Sequence, residues 1–461
     1  MINSLHLCKR CNAMNSQIVD SGNKNIDDFI RETQFSKKSA DIEFLIWVPY
    51  ENLTNIEHIG KGGFSEIYKA TWERQNYEAS RGIFKMEKTV IVLKVLNDSQ
   101  NVDTEFLKEL KHTYQLRDSI RWSSSSIQCY GVTQIPKTKN YAFILDYADG
   151  GDLHHFLNKN FARMKWNTKI YFLHYIVQGI ERIHSKKILH RDLHSGNILI
   201  RDIQDGGNAI ISDLGFSQPA TTKSDLSRKS QIYGIIPYMA PELFKGRPYS
   251  YKSDIYSLGM IMWQMTSGHR PFHDQEHGPK LILDILDGKR PEITEDTPEN
   301  WANLMKRCWH SNPFQRPTIN EIYKLSNNFF YFFFPKKLEF IEAEKKRLEM
   351  IEFKKPFVKN PGYEHPNSRY YSRSLNSMLE SINSTVSDLF SNNLFSNDCF
   401  DINSNQINGL ESSDGNSSAE NSKKHFLDEL LQEEIIEDQS DLKRRKISEY
   451  INECLAEDVM D

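Results

Sequence analysis

The chain has 461 residues, with 58 lysines and arginines against 62 aspartates and glutamates. This near balance gives no overall field that would favour nucleic acid or an acidic surface. The first ten residues lack the apolar core of a signal peptide, and no apolar run of about 18 residues could span a bilayer. The six cysteines are scattered, which argues against a disulfide framework and favours a cytoplasmic location.

Residues 1–40 are polar and predict a flexible leader. Within them, His6, Cys8 and Cys11 could supply two or three zinc ligands, but a structural zinc site needs four. The flexible segment is therefore the preferred interpretation, and zinc binding stays open. Asn25–Gln34 has apolar residues at positions 26, 29 and 30, which predicts a short helix packed on the domain that follows.

The segment from residue 59 to residue 70 predicts a β-hairpin with a glycine-rich tip. Such a tip lets backbone N–H groups approach phosphates, although a plain structural hairpin is the alternative. Ser65 stands where the Gly-x-Gly-x-x-Gly pattern of a phosphate-binding loop has its third glycine. The residues expected to contact a bound nucleotide here are Ile59, Gly60, Lys61, Gly62, Gly63, Phe64, Ser65, Glu66 and Ile67.

The strand predicted at residues 89–96 carries Lys94 among β-branched neighbours, and a lysine there is costly unless it is paired. The helix predicted at 104–111 offers Glu109 as the partner, with Glu105, one turn earlier, as the alternative. Between the hairpin and this strand, residues 72–88 are expected to form a polar connection.

Two more strands are predicted at 127–133 and 141–147, after which helices dominate. A long buried helix is predicted at 169–185. The fold class is therefore α+β, with a small β-rich N-lobe, a larger helical C-lobe and a nucleotide bound where they meet. The residues expected to complete the nucleotide site at the end of the last strand are Asp146, Tyr147, Ala148 and Asp152.

Two polar turns carry the clearest chemistry. In residues 190–197, Asp192 could accept the proton of an attacking hydroxyl, and the amide of Asn197 could bind a divalent metal. In residues 212–215, Asp213 adds a second carboxylate, followed two residues later by a glycine. Together, and in this order, the two turns predict phosphoryl transfer.

These features resemble the eukaryotic protein kinase family, and the resemblance covers residues 53–328. The sequences of residues 190–197 and of the closing segment 308–317 are similar to those of the tyrosine-kinase-like group, a class well represented in fungi and amoebae. The matching motifs, in chain order, are the glycine loop, Lys94, Glu109, His190-Arg191-Asp192, Asp213-Leu214-Gly215 and Ala240-Pro241-Glu242.

The resemblance implies a bilobal kinase fold and a role for each polar residue. Asp192 would orient and deprotonate the substrate hydroxyl. Asn197 and Asp213 would bind Mg²⁺, and Lys94, positioned by Glu109, would bind the α- and β-phosphates of ATP.

Three other charged residues have structural roles by the same resemblance. Glu242 and Arg316 would form a buried ion pair in the helical lobe, and Asp254 would support the loop at 190–192.

Three departures from the family pattern bear on function. Leu214 replaces the usual phenylalanine and keeps an apolar side chain there. His194 stands where serine/threonine kinases often have lysine, and Ile235 where they have threonine. The class of the phosphoacceptor residue therefore stays open. Similarity to the tyrosine-kinase-like group favours serine/threonine, and tyrosine is the alternative. Hydroxyls in the loop 217–233 are expected targets of an upstream kinase, with their phosphates pairing with Arg191.

Beyond the domain, the aromatic run 329–334 is expected to pack on the helical lobe, with partner binding as the alternative. Residues 336–353 predict a helical extension, and 354–461 a largely disordered tail rich in asparagine and serine. In that tail, residues 425–438 are a candidate partner helix. The basic run 443–446 is either a nuclear signal or a solvated face.

The sequence as a whole predicts an ATP-dependent protein kinase of intracellular signalling, with Mg²⁺ as cofactor and a protein as substrate. The alternative is a pseudokinase-type scaffold or docking protein with little or no turnover. Membrane and nucleic-acid partners are not expected.

Overall fold

The computed structural model describes residues 20–35, 45–78, 83–100, 104–116, 126–202, 207–220, 232–331 and 337–381. The chain divides into two units, one formed by residues 1–277 and 291–375 and the other by residues 278–290 and 376–461. The described part of the second unit contains the helix Pro279–Leu286, whose Leu281, Ile282 and Ile285 are buried, and a helical segment at residues 376–381.

The N-lobe is built on a six-stranded sheet with the strand order β1-β5-β6-β4-β3-β2. Only the β1–β5 pair is parallel, and the other neighbours are antiparallel. Apolar side chains cover both faces of the sheet, so the central strands are rigidly held. The strands are β1 Ile46–Trp47, β2 Leu53–Lys61, β3 Ser65–Glu78, β4 Ile83–Leu96, β5 Cys129–Gln134 and β6 Tyr141–Asp146.

Two helices pack on one face of this sheet: α1, Lys24–Phe35, and α2, Thr104–Gln115. Ile26 and Ile30 of α1 are buried together with Phe106 and Leu110 of α2. The predicted helix at 25–34 is therefore confirmed. Residues 24–35 belong to the domain core, which corrects the boundary of the flexible leader expected at 1–40.

The connection expected at residues 72–88 is instead a long β-hairpin. β3 and β4 pair in continuous register from Ser65 with Leu96 to Glu78 with Ile83. The polar side chains of this stretch suggested a loop, but the hydrogen bonds between two antiparallel strands satisfy the backbone whether or not the side chains are polar. The prediction of a connection was wrong for this reason.

The C-lobe is mostly helical, as expected. The helix at the centre of the lobe is α6, Tyr251–Ser267, nearly all of whose side chains are buried. This helix begins at a capping box formed by Ser250 and Ser253. The helices of the lobe are α3 Leu153–Asn160, α4 Trp166–Ser185, α5 Pro241–Phe244, α6 Tyr251–Ser267, α8 Glu299–Cys308, α9 Ile319–Tyr331 and α10 Lys337–Glu352, α7 being the Pro279–Leu286 helix of the second unit.

Short antiparallel strand pairs lie outside the six-stranded sheet. They are β7 Ile188–Leu189 with β10 Gln218–Pro219, β8 Ile198–Arg201 with β9 Asn208–Ile211, and β11 Tyr233–Gly234 with β12 Arg373–Ser374. No helix within the described residues is both long and apolar enough to cross a bilayer.

The chain after α10 departs from the prediction of a tail that is disordered from residue 354. Lys355 Nζ lies 2.7 Å from Glu295 Oε2, and Tyr370 donates from its hydroxyl to Pro271 O at 2.8 Å. Residues 354–375 therefore lie along the C-lobe and reach β11. The candidate helix at 425–438 and the basic run at 443–446 lie outside the described residues.

Candidate active site

Lys94 lies near the end of β4 with its ammonium between two carboxylates. Its Nζ is 2.7 Å from Glu109 Oε1 and 2.7 Å from Asp213 Oδ1. Lys94 and Glu109 are only 7% and 8% exposed, so the charges are compensated inside the protein rather than by water. The predicted Lys94–Glu109 pair is confirmed. The side chain of the alternative, Glu105, lies outside the described part of the chain.

These contacts fix the charges of the cluster. Burial alone would lower the pKa of Lys94, but the attraction of Asp213 and Glu109 outweighs burial and raises it. Burial would raise the pKa of Asp213, but Lys94 and the Gly215 N–H lower it to about 2. For Glu109, burial raises the pKa while Lys94 opposes the rise. Lys94 is therefore a cation and Asp213 an anion at neutral pH.

The turn at 213–215 needs its glycine. Asp213 has a positive φ of 60° and accepts a hydrogen bond from the Gly215 N–H at 3.1 Å. A Cβ on Gly215 would lie 3.2 Å from both Asp213 Oδ1 and Glu109 Oε2. The absence of a side chain lets the two carboxylates close around Lys94. Leu214 is buried, as its apolar character predicts.

The loop before Asp192 is held by Asp254 on α6. Asp254 Oδ2 accepts hydrogen bonds from His190 N at 3.0 Å and from His184 Nε2 at 2.9 Å, and Oδ1 accepts one from Arg191 N at 3.0 Å. Asp254 is 2% exposed, and Arg191 has a φ of 73°. The supporting role predicted for Asp254 is confirmed, and it stabilises a backbone conformation that L-residues rarely adopt.

Among the described residues, the side chains of Ser372 and His194 lie beside the Asp192 carboxylate. Ser372 donates from its hydroxyl to Asp192 Oδ2 at 2.6 Å, and His194 Nε2 lies 3.7 Å from the same oxygen. His194 Nδ1 is engaged elsewhere, accepting a hydrogen bond from Gly196 N at 3.1 Å. The hydroxyl is within the distance at which a carboxylate can take a proton. Ser372 was not anticipated from the sequence.

Asn197 is tied to Asp192 and brought near Asp213. Its Nδ2 donates to Asp192 O at 2.9 Å, and its backbone O accepts from Ser212 N at 2.9 Å across the β8–β9 hairpin. This hairpin places the two predicted metal ligands at neighbouring strand ends.

The donor chemistry of these two residues suits a hard divalent cation. Among the described residues, none donates a hydrogen bond to Asn197 Oδ1 or to Asp213 Oδ2. Mg²⁺ prefers oxygen ligands, and it commonly takes one or two from the protein and the rest from phosphates and water. The predicted pair therefore fits Mg²⁺, although no metal cluster of three or more His, Cys, Asp or Glu occurs in the described part of the chain.

The glycine loop forms the predicted hairpin tip between β2 and β3. Gly62 N donates to Ser65 O at 2.7 Å, and Ser65 is buried. Phe64 is 49% exposed and packs edge-on against Phe216 and Tyr233. A Cβ on Gly63 would lie 3.2 Å from Ser372 O, so this tip and residue 372 approach each other closely.

The predicted nucleotide residues at the end of β6 divide into two groups. Asp146 is 2% exposed, and its carboxylate is taken up by Tyr130 OH at 3.0 Å and Arg201 Nη1 at 3.1 Å. Asp152 caps α3, accepting a hydrogen bond from His155 N at 2.9 Å. Both carboxylates are therefore used structurally. Tyr147, half-buried beside the buried Ala148, receives Lys69 Nζ over its ring at 4.7 Å.

The ion pair predicted between Glu242 and Arg316 is confirmed. Arg316 Nη1 and Nη2 each lie 2.6 Å from an oxygen of Glu242, and the Arg316 side chain is fully buried. Its Nε also donates to His310 O at 2.8 Å. Such a bidentate pair is geometrically specific.

A second contact that was not anticipated from the sequence lies one turn after Glu109 on α2. His112, one turn later on α2, has its Nδ1 2.7 Å from Ser217 Oγ. This hydrogen bond ties the helix that carries Glu109 to the chain just after the turn at 213–215. A polar residue on the buried side of α2 was the available signal. The loop hydroxyls between 221 and 231, and Cys8 and Cys11, lie outside the described residues.

Comparison with known proteins agrees with this geometry. A family model described as protein tyrosine and serine/threonine kinase matches residues 53–325. The chain is 28% identical over 288 residues to a probable serine/threonine-protein kinase of Dictyostelium discoideum, covering 60% of this chain and 15% of that protein. Another probable serine/threonine-protein kinase of this organism is 32% identical over 286 residues, covering 59% and 12%. The dual specificity protein kinase splA is 28% identical over 292 residues, covering 60% and 11%. The chain therefore spans less than a fifth of the length of these curated relatives.

Proposed function

Because the chain belongs to the protein tyrosine and serine/threonine kinase family, we propose that it transfers the γ-phosphate of Mg-ATP to a protein hydroxyl in signalling. The observation that carries this proposal is the cluster in which Lys94 lies 2.7 Å from both Glu109 and Asp213. In kinases this lysine–glutamate pair and the nearby aspartate must be in place together for transfer.

Lys94 binds the α- and β-phosphates in this proposal, and Glu109 positions it. A buried lysine held as a cation attracts phosphate strongly, because little water screens it. The backbone of the glycine loop approaches the phosphates of the nucleotide. The exposed side chains of Ile59 and Phe64 give the nucleotide an apolar cover.

Asp192 is the proposed proton acceptor. Its backbone is fixed through His190 and Arg191 by Asp254, so its carboxylate is preorganised rather than recruited on binding. Preorganisation of this kind contributes to rate because the reacting hydroxyl meets a base that is already oriented.

Asn197 and Asp213 are the proposed holders of Mg²⁺, each through a side-chain oxygen that accepts no hydrogen bond from the described residues. When bound, the metal would neutralise phosphate charge. The ammonium of Lys94 keeps Asp213 ionised and therefore ready to bind a cation.

The proposed acceptor class is serine/threonine, with tyrosine as the alternative. Two relatives named serine/threonine-protein kinases and one named a dual specificity kinase support this order. His194 lies 3.7 Å from Asp192, where serine/threonine kinases often carry a lysine. Control by an upstream kinase acting on residues 217–233 is also proposed, because a phosphate on a hydroxyl of this segment would pair with the Arg191 guanidinium.

The experiment compares the purified chain with Asp192→Asn, measuring phosphate transfer from Mg-ATP to casein together with ATP affinity. The proposal expects transfer by the wild type and a loss of about 10²–10⁴-fold in the variant, with ATP affinity largely retained. Binding of ATP without transfer by either protein would refute the enzyme and favour the pseudokinase scaffold. Phosphoamino-acid analysis of the product then identifies the acceptor class.

A further inference from the structure

The chain's own segment 370–375 lies at the Asp192 carboxylate. The Ser372 hydroxyl donates a hydrogen bond to Asp192 Oδ2 at 2.6 Å, which is the usual distance between a hydroxyl donor and a carboxylate oxygen. On the other side, the glycine loop comes so close that a Cβ on Gly63 would lie 3.2 Å from Ser372 O. Ser372 is therefore enclosed between the proton acceptor and the loop assigned to the phosphates.

The residues after Ser372 extend this contact by strand pairing. β12 is antiparallel to β11, with Arg373 opposite Gly234 and Ser374 opposite Tyr233. Leu375 N donates to Ile232 O at 2.9 Å. Addition of an extended peptide to a free strand is a common mode of peptide recognition, because backbone hydrogen bonds supply affinity and side chains supply register.

Side chains fix the register of the segment from both ends. Tyr370 donates to Pro271 O at 2.8 Å, and Arg270 lies over the Tyr370 ring at 3.8 Å. Arg373 donates to His277 O at 2.7 Å. The anchors on either side of Ser372 leave one hydroxyl, that of the serine, directed at Asp192.

From this geometry, and resting on the proposed kinase function, we propose that Ser372 is an intramolecular phosphoacceptor and that residues 370–375 occupy the substrate groove of their own chain. The oxygen of Ser372 would attack the γ-phosphorus of ATP. The new bond is Ser372 Oγ–Pγ, the broken bond joins Pγ to the β,γ-bridging oxygen, the hydroxyl proton passes to Asp192, and ADP leaves.

The same arrangement assigns an acceptor class. The hydroxyl of the neighbouring Tyr370 is bonded to Pro271 O, and Tyr371 is half exposed. A tyrosine hydroxyl lies farther from its backbone than a serine hydroxyl. With the backbone held by β11 and the glycine loop, the distance to Asp192 therefore suits serine.

Tethering gives this acceptor an advantage over external proteins. A segment joined to the domain by a short linker has an effective concentration on the order of millimolar. It also covers the Asp192 oxygen that an external hydroxyl needs. The rate of the internal reaction should not depend on protein concentration, and external acceptors should compete poorly until the segment leaves.

The test incubates the dephosphorylated full chain with Mg-ATP and follows each phosphosite by mass spectrometry, with casein as an external acceptor in parallel. We expect phosphate at Ser372 with a first-order rate that is constant over about a hundredfold range of protein concentration. Ser372→Ala should lose that concentration-independent product, and Ser372→Thr should restore it as phosphothreonine. Ser374→Ala, the matched control on the same strand with an exposed side chain, should behave as the wild type.

The outcomes separate this inference from the proposed function. Phosphorylated casein with unmodified Ser372 overturns the inference alone. A Ser372 rate that rises in proportion to protein concentration also overturns it, because the reaction is then intermolecular. No transfer to casein or to the chain overturns the proposed function and the inference together. Thermal melting of Ser372→Ala and Ser372→Thr establishes that both variants are folded.

Discussion

Asp254 anchors the backbone that precedes Asp192, and its replacement tests whether the site depends on that anchor. Asp254→Asn keeps the size of the side chain but leaves one acceptor oxygen for three donors, from His184, His190 and Arg191, of which the first two are buried. A hydrogen bond to a charged group contributes about 1.5–3 kcal/mol, and a buried donor left unsatisfied costs about 1–3 kcal/mol. The expected loss is therefore about 2.5–6 kcal/mol in unfolding free energy.

The assay combines thermal unfolding with steady-state kinetics. For a domain of this order of size, such a loss lowers Tm by about 5–20 °C. A displacement of about 1 Å at Asp192 would lower kcat about 100-fold, with the KM for ATP less affected. Asp28→Asn, at an exposed carboxylate 3.7 Å from Arg31, is the matched control and should change neither quantity. An Asp254→Asn protein with the Tm and kcat of the wild type would refute this reasoning.

Three further changes have definite expected results. Glu242→Gln leaves the buried guanidinium of Arg316 without its anion, and denaturant titration should show a loss of about 3–5 kcal/mol. Arg373→Ala removes the hydrogen bond to His277 O, so steady-state kinetics should show a lower KM for an external acceptor peptide and an unchanged KM for ATP. Acidification from about pH 7 to pH 5 should lower Tm in scanning fluorimetry, because burial lowers the pKa of several histidines below 6.5 and the unfolded chain then binds more protons than the folded one. The raised pKa of Glu109 acts in the opposite sense. The histidines are His154, His174, His190, His269 and His277.

The parts of the site that the sequence predicted correctly are those in which a costly residue needs a specific partner. A lysine in an apolar strand requires an anion, which led to Glu109. The resemblance to protein kinases implied the Glu242–Arg316 pair, in which the buried arginine likewise needs an anion. Motif spacing identified the loop, and the resemblance to protein kinases implied its support by Asp254, whose carboxylate accepts hydrogen bonds from both backbone N–H groups.

The parts that the sequence did not predict depend on tertiary context. The polar composition of residues 72–88 favours a connection, but β3 and β4 pair in register as far as Glu78 and Ile83, and composition does not reveal such pairing. The composition of residues 354–375 is that of a disordered segment. Its placement depends on single contacts with distant residues, such as Tyr370 with Pro271 and Arg373 with His277. Composition does not reveal contacts of this kind, and the approach of Ser372 to Asp192 could not be read from spacing.

We propose that Asp192 accepts the substrate proton during phosphate transfer at a preorganised kinase site. Single-turnover transfer of labelled γ-phosphate from Mg-ATP, with the wild type and Asp192→Asn each saturated with ATP, measures this role. We expect a transfer rate reduced by about 10²–10⁴-fold in the variant at nearly unchanged ATP affinity. Equal rates in the two proteins, or ATP binding with no transfer by the wild type, would contradict it.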